Sequence, residues 1–91
     1  MLSFKIKEDR ELHSLEEAVE SVKEVLTQED IVEIKSLSKS SLIKLHSSLG
    51  RNIRNYLGLW STNKALVIKE LGKDGHPDDL SMKIIEKIWE N

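Results

Sequence analysis

The stretch SKSSLIKLHSSLGRNIRNYLG, residues 38–58, decides the fold. Within it Leu42, Leu45, Leu49, Ile53, Tyr56 and Leu57 recur at intervals of three and four, the spacing that places side chains on one face of a helix. Gly58 follows at once, and a glycine just past a periodic run is the residue best able to take the left-handed conformation that ends a helix. The pattern therefore predicts a helix that starts at Ser38, stops at Gly58 and buries one apolar stripe.

Outward from this segment the same signals repeat. Toward the N-terminus, Ser14 and Glu17 have the spacing of a capping box, and Leu15, Val19, Val22 and Leu26 continue at helical intervals, which predicts a helix over 15–26. Thr27 can cap a second helix over 28–36, with Glu29 and Asp30 at its positive end and Ile31, Ile34 and Leu37 as its stripe. Toward the C-terminus, Ser61 is the expected cap of a helix carrying Ala65, Leu66 and Ile68, closed by Gly72. Pro77 suits the first position of a last helix, with Asp78 and Asp79 in its first turn and Leu80, Ile84, Ile85, Ile88 and Trp89 facing inward. Leu2, Phe4 and Ile6 alternate with polar residues, the period of a strand or extended arm, and no second strand pattern exists to pair with it. The expected fold is all-α: a compact bundle of about five short helices over residues 14–91, with an extended N-terminal arm or short strand over 1–13.

Composition narrows the function. At 91 residues most apolar side chains are needed for the core, which leaves little for a deep ligand cavity. The chain has no cysteine, so thiolate metal sites, disulfides and a cysteine nucleophile are all excluded; a reducing cytoplasm suits such a chain. No apolar run approaches the length of a membrane span, and the N-terminus lacks the apolar core of a signal peptide. A cytoplasmic protein, monomeric or weakly dimeric, is expected. Net charge is −2, but it is segregated: −5 over residues 1–37, +6 over 38–73 and −3 over 74–91. Such blocks either neutralise one another inside the bundle or leave a basic face for an anionic partner.

Several residues resemble a known pattern: Leu49-Gly50, Ile53-Arg54-Asn55, Gly58-Leu59-Trp60 and Asn63, then His76-Pro77-Asp78-Asp79, Ser81, Ile84-Ile85 and Trp89. Together they are similar to family 6794 of the domains of unknown function, over roughly the second half of the chain. The resemblance implies a small bacterial helical domain and carries no established activity, so it supplies no catalytic or binding residue. Where it leads one to expect bulky apolar residues after Leu49-Gly50, this chain has Arg51 and Asn52.

On a helical wheel Arg51 lies opposite the apolar arc, Lys44 shares its outward face, and Arg54 and Asn55 flank it over small serines. No acid occurs from Ser38 to Lys69. Lys44, Arg51, Arg54 and Asn55 thus form a candidate binding face for a protein with an acidic surface, since guanidinium groups fork onto carboxylate oxygens. The recognition-helix pattern of sequence-specific DNA binding is not present. An alternative site is a pocket for a small anion or nucleotide lined by Arg54, Asn55, Trp60, Asn63, His76, Asp78 and Asp79. A structural reading competes with it: Arg54 pairs with Asp78 or Asp79 and locks two helices together, while Gly50 lets them approach. His46 is expected as a hydrogen-bonded core histidine, His76 as a cap of the last helix, and Trp60 and Trp89 as buried. Neither a nucleophile elbow nor a phosphate loop nor a metal-ligand spacing is present, so no catalytic residue, cofactor or metal is expected.

Overall fold

The computed structural model describes residue 8 and residues 10–90. Five α-helices run in the order α1 (Leu15–Val25), α2 (Gln28–Ser36), α3 (Arg51–Leu57), α4 (Lys64–Leu71) and α5 (Pro77–Glu90), and no strand occurs among the described residues. The alternating Leu2, Phe4 and Ile6 lie outside the described residues. Every other helix packs on α5, whose Leu80, Ile84, Ile85 and Ile88 are fully buried at the centre of the core. The principal extents, 32 × 27 × 21 Å, are those of one small bundle.

Local chemistry sets the helix ends. The Ser14 hydroxyl accepts from the Glu17 amide at 3.1 Å, but the Glu17 carboxylate reaches one residue further back than a closed capping box requires, to the His13 amide at 2.8 Å. At α2 the box is complete: Thr27 Oγ1 accepts from Asp30 N, and Asp30 Oδ2 from Thr27 N. Pro77 opens α5 as expected, behind His76, whose carbonyl accepts from the Asp79 and Leu80 amides. Gly72 ends α4 at φ 89°.

Residues 39–57 follow the expected helical path with a different winding. Lys39–Leu45 form a 3-10 helix, His46–Gly50 a π-helical turn, and only Arg51–Leu57 an α-helix. The serines at the start offer a reason, because their hydroxyls bond locally, Ser38 Oγ to Ser41 Oγ at 2.9 Å, and so compete with regular α-helical bonding. A tighter winding followed by a looser one returns the stripe to nearly the same side. Leu42, Leu49, Ile53, Tyr56 and Leu57 are accordingly buried despite the irregularity.

The expected cap at Ser61 is not formed. Gly58, at φ 66°, starts a turn in which the Leu59 amide bonds to the Arg54 carbonyl at 3.1 Å and the Asn63 amide to the Gly58 carbonyl at 2.8 Å, so α4 begins only at Lys64. Of the expected stripe only Leu66 faces the core, joined by Val67, while Ala65 and Ile68 are exposed.

Sequence periodicity gave no sign of the clasp that holds the N-terminal segment. The Glu8 amide bonds to the Tyr56 carbonyl at 2.8 Å, and its buried carboxylate receives Arg10 Nε at 2.9 Å, Arg10 NH2 at 2.7 Å and the Ser21 hydroxyl at 2.5 Å. The Arg10 guanidinium, aided by the Ser21 hydroxyl and opposed by burial, lowers the Glu8 pKa from 4.5 to about 2. A lowered carboxylate pKa stabilises the fold above the unfolded value, and that stability is lost as pH falls through the folded one. Arg10 is itself largely exposed, so solvent screening leaves only part of this contribution at neutral pH. Glu8→Gln is expected to lower the thermal midpoint at pH 7. It is also expected to flatten the decline that the native chain shows between the ordinary carboxylate range and pH about 2. Parallel midpoint-against-pH curves for the two proteins would refute the clasp.

Candidate functional site

The structure divides the expected basic face. Lys44, on the 3-10 helix, and Arg51, at the start of α3, are exposed and make no ion pair among the described residues. Arg54 is not part of that surface, as its side chain is only 10% exposed. Its Nε lies 3.1 Å from Asp78 Oδ1 and its NH1 donates to Ser81 Oγ at 3.1 Å, while Ser81 donates to the Asp78 carbonyl at 2.8 Å. This is the expected lock between α3 and the start of α5, made with Asp78; Asp79 is exposed and lends only its charge to the positive helix end. Gly50 permits the lock, because a Cβ there would stand 3.1 Å from Arg54 NH1 and 3.5 Å from Ser81 Oγ. The Asn55 side chain is exposed and shares a depression with Trp60.

The alternative pocket is dispersed. Arg54, Asn55 and Trp60 do line one shallow depression of about 240 Å³, together with Glu8 and Thr62. Asn63 is outside it and 2% exposed: its Oδ1 accepts from the Leu12 amide at 2.7 Å, and its Nδ2 donates to the Leu57 carbonyl at 2.7 Å and the Arg10 carbonyl at 3.1 Å. His76 caps α5, its Nδ1 accepting from the Asp78 amide at 3.1 Å. His46 is not a core residue; it is half-exposed, with Nε2 3.6 Å from Asp78 Oδ2. Among the described residues no group of three or more His, Asp or Glu could hold a metal ion.

The two tryptophans differ. Trp89 is half-buried on the core and donates Nε1–H to the Leu37 carbonyl at 2.7 Å, joining the end of α5 to the end of α2. Trp60 is 58% exposed, contrary to expectation, and its ring meets His76 edge to face at 5.1 Å between centroids. The hydrophobic contact after the Gly58 stop is made instead by the fully buried Leu59, and the next residue along the turn is thereby directed outward.

Beside Arg51 lies a feature that periodicity could not reveal. Asp30, Glu33, Ile34 and Leu37 share one face of α2, and across from them stand Leu45, Ser48, Leu49 and Asn52. α2 and the π-helical turn both pack on α5 and hardly on each other, so an open groove of about 420 Å³ remains between them. Ile34 and Leu49 form its buried floor, and half-buried Leu37 and Leu45 its walls. Two smaller depressions follow the acidic side of α1, beside Glu16 and Glu20.

Among the described residues no helix is long and apolar enough to cross a membrane. Comparison with curated proteins and with solved structures finds no match. The family model described as Domain of unknown function (DUF6794) matches residues 13–91, which takes in α1 to α5 as well as the Leu49–Asn63 and His76–Trp89 segments. Extending through both the Arg54–Asp78 lock and the α5 core, that match covers nearly the whole chain, and the chain belongs to the DUF6794 family.

Proposed function

We propose that this domain is a non-enzymatic, cytoplasmic module that binds another protein, one presenting an acidic surface, through the face carrying Lys44 and Arg51. The observation that carries this reading is the contrast between the cations: Arg54 is engaged inside the fold, whereas Lys44 and Arg51 are exposed without an ion-pair partner among the described residues. An unpaired guanidinium at the surface retains its forked donors for a carboxylate. The pocket reading draws less support, because Asn63 is turned inward and the Arg54 charge is met by Asp78.

The test is affinity capture from native lysate at low and high salt, with the Lys44→Glu/Arg51→Glu double variant as control. A partner held at low salt is expected to be lost both at high salt and with the variant, while the thermal midpoint of the domain is nearly unchanged. A partner retained equally by both proteins would remove the basic face from consideration.

A further inference from the structure

We propose that the groove between α2 and the π-helical turn takes an amphipathic helical segment of the partner, and that opposite charges on its two walls fix the direction in which the segment runs. The proposal rests on the reading that the Lys44–Arg51 face binds protein, and it specifies what the partner presents there.

The groove is a seam that the described residues leave open. A 91-residue chain has few apolar side chains beyond those its core needs, yet this seam exposes the sides of Leu37 and Leu45 above Ile34 and Leu49. Its volume of about 420 Å³ falls in the range of ligand-sized clefts and leaves room for apolar side chains of a partner. Ser48 keeps one rim low, so a helix can approach along it. Grooves between packed helices commonly receive a partner helix whose apolar residues lie one turn apart.

The rims carry the directional information. Arg51 stands on one wall and Glu33 on the other, both exposed and neither in an ion pair among the described residues; the neighbouring Asp30 already serves the α2 capping box. A uniformly acidic segment would satisfy Arg51 and be repelled by Glu33, and a uniformly basic one would meet the reverse. The complement is a helix with apolar side chains directed into the groove, a carboxylate on the flank facing Arg51 and a Lys or Arg on the flank facing Glu33. Turning such a helix end for end places like charges together, which discriminates against the reversed orientation.

Selection from a random library of helix-forming peptides, with the full chain immobilised, tests this directly. The wild type is expected to enrich peptides with apolar residues one helical turn apart, an acid on one flank and a base on the other. Arg51→Glu is expected to exchange the preferred acid for a base, and Ser48→Trp, which fills the groove from an exposed position, to weaken the selected peptide about tenfold or more without altering the far-ultraviolet circular dichroism. Lack of enrichment, a preference indifferent to Arg51→Glu, or binding indifferent to Ser48→Trp would overturn the proposal. Lysate capture separates the two levels: a partner lost with Lys44→Glu/Arg51→Glu and kept by Ser48→Trp leaves the basic face standing and removes the groove. A partner indifferent to both removes both.

Discussion

Arg54→Ala is expected to cost about 2–3 kcal/mol of stability and to lower the thermal midpoint by roughly 10–20 °C. Truncation removes the guanidinium that bridges Asp78 and Ser81, empties the space it fills beside Gly50, and leaves Asp78 facing only half-exposed His46 and His76. Breaking a fully buried pair costs more, but the Asp78 side chain is 35% exposed and water recovers part of the loss. Arg54→Lys is expected to restore little, since a single ammonium cannot reproduce donation from Nε and NH1 to two acceptors. A double-mutant cycle in urea gives the specific result: Arg54→Ala and Asp78→Ala couple by about 1–2 kcal/mol, whereas Arg54→Ala and Asp79→Ala add. Additive losses for Arg54 and Asp78 would show that their 3.1 Å contact does not contribute to stability.

The lock was legible in the sequence because it needs only two inputs: an arginine at the edge of an apolar stripe, and carboxylates placed by Pro77 at the start of the next helix. Several helix ends were legible for the same reason, since caps such as Thr27 and Asp30 or stops such as Gly58 act within a few residues; the start of α4 was not, because the turn after Gly58 displaces it from Ser61 to Lys64. What could not be read depends on contacts distant along the chain or on winding. The 3-10 and π segments alter the angle per residue without altering the apolar spacing, so a wheel placed Leu49 and Ile53 inward correctly and still described the wrong helix. Trp60 was misplaced because two adjacent apolar residues, Leu59 and Trp60, compete for one core position after the Gly58 turn, and hydrophobicity alone does not choose between them. The groove was invisible because it is defined by α2 and the π turn packing on a third element and hardly on each other, which no pattern within either segment encodes. Lys44 and Arg51 were correctly placed outward, but only the structure sets Arg51 on the rim of an apolar groove opposite Glu33.

The second large effect is expected at Asn63, whose chemistry is internal although its position suggested a pocket. This one amide joins three backbone groups: it accepts from Leu12 N at 2.7 Å and donates to the Leu57 and Arg10 carbonyls at 2.7 and 3.1 Å. It thereby fixes the incoming N-terminal segment to the end of α3 and the start of α4. Asn63→Asp keeps the shape and one acceptor but removes both donors, and it directs a carboxylate oxygen at two carbonyls in a site only 2% exposed. At neutral pH the loss is expected to reach about 3–4 kcal/mol, a large share of the roughly 5–15 kcal/mol that holds a domain folded. Burial and the facing carbonyls disfavour the charged form, so the introduced carboxyl has a raised pKa in the folded state. Stability of this variant is therefore expected to increase as pH falls toward the ordinary carboxylate range, where a protonated oxygen can donate to one carbonyl. That slope is opposite in sign to the one Glu8 imposes on the native chain. Urea titrations of Asn63→Asp and Asn63→Ala at pH 7 and near pH 5 distinguish the causes: only the aspartate variant should gain stability relative to native at the lower pH, and both should lose hydrogen-exchange protection at the Leu12 amide. Equal pH responses would mean that the site is wetted and that Asn63 does not serve as the internal clamp its three bonds describe.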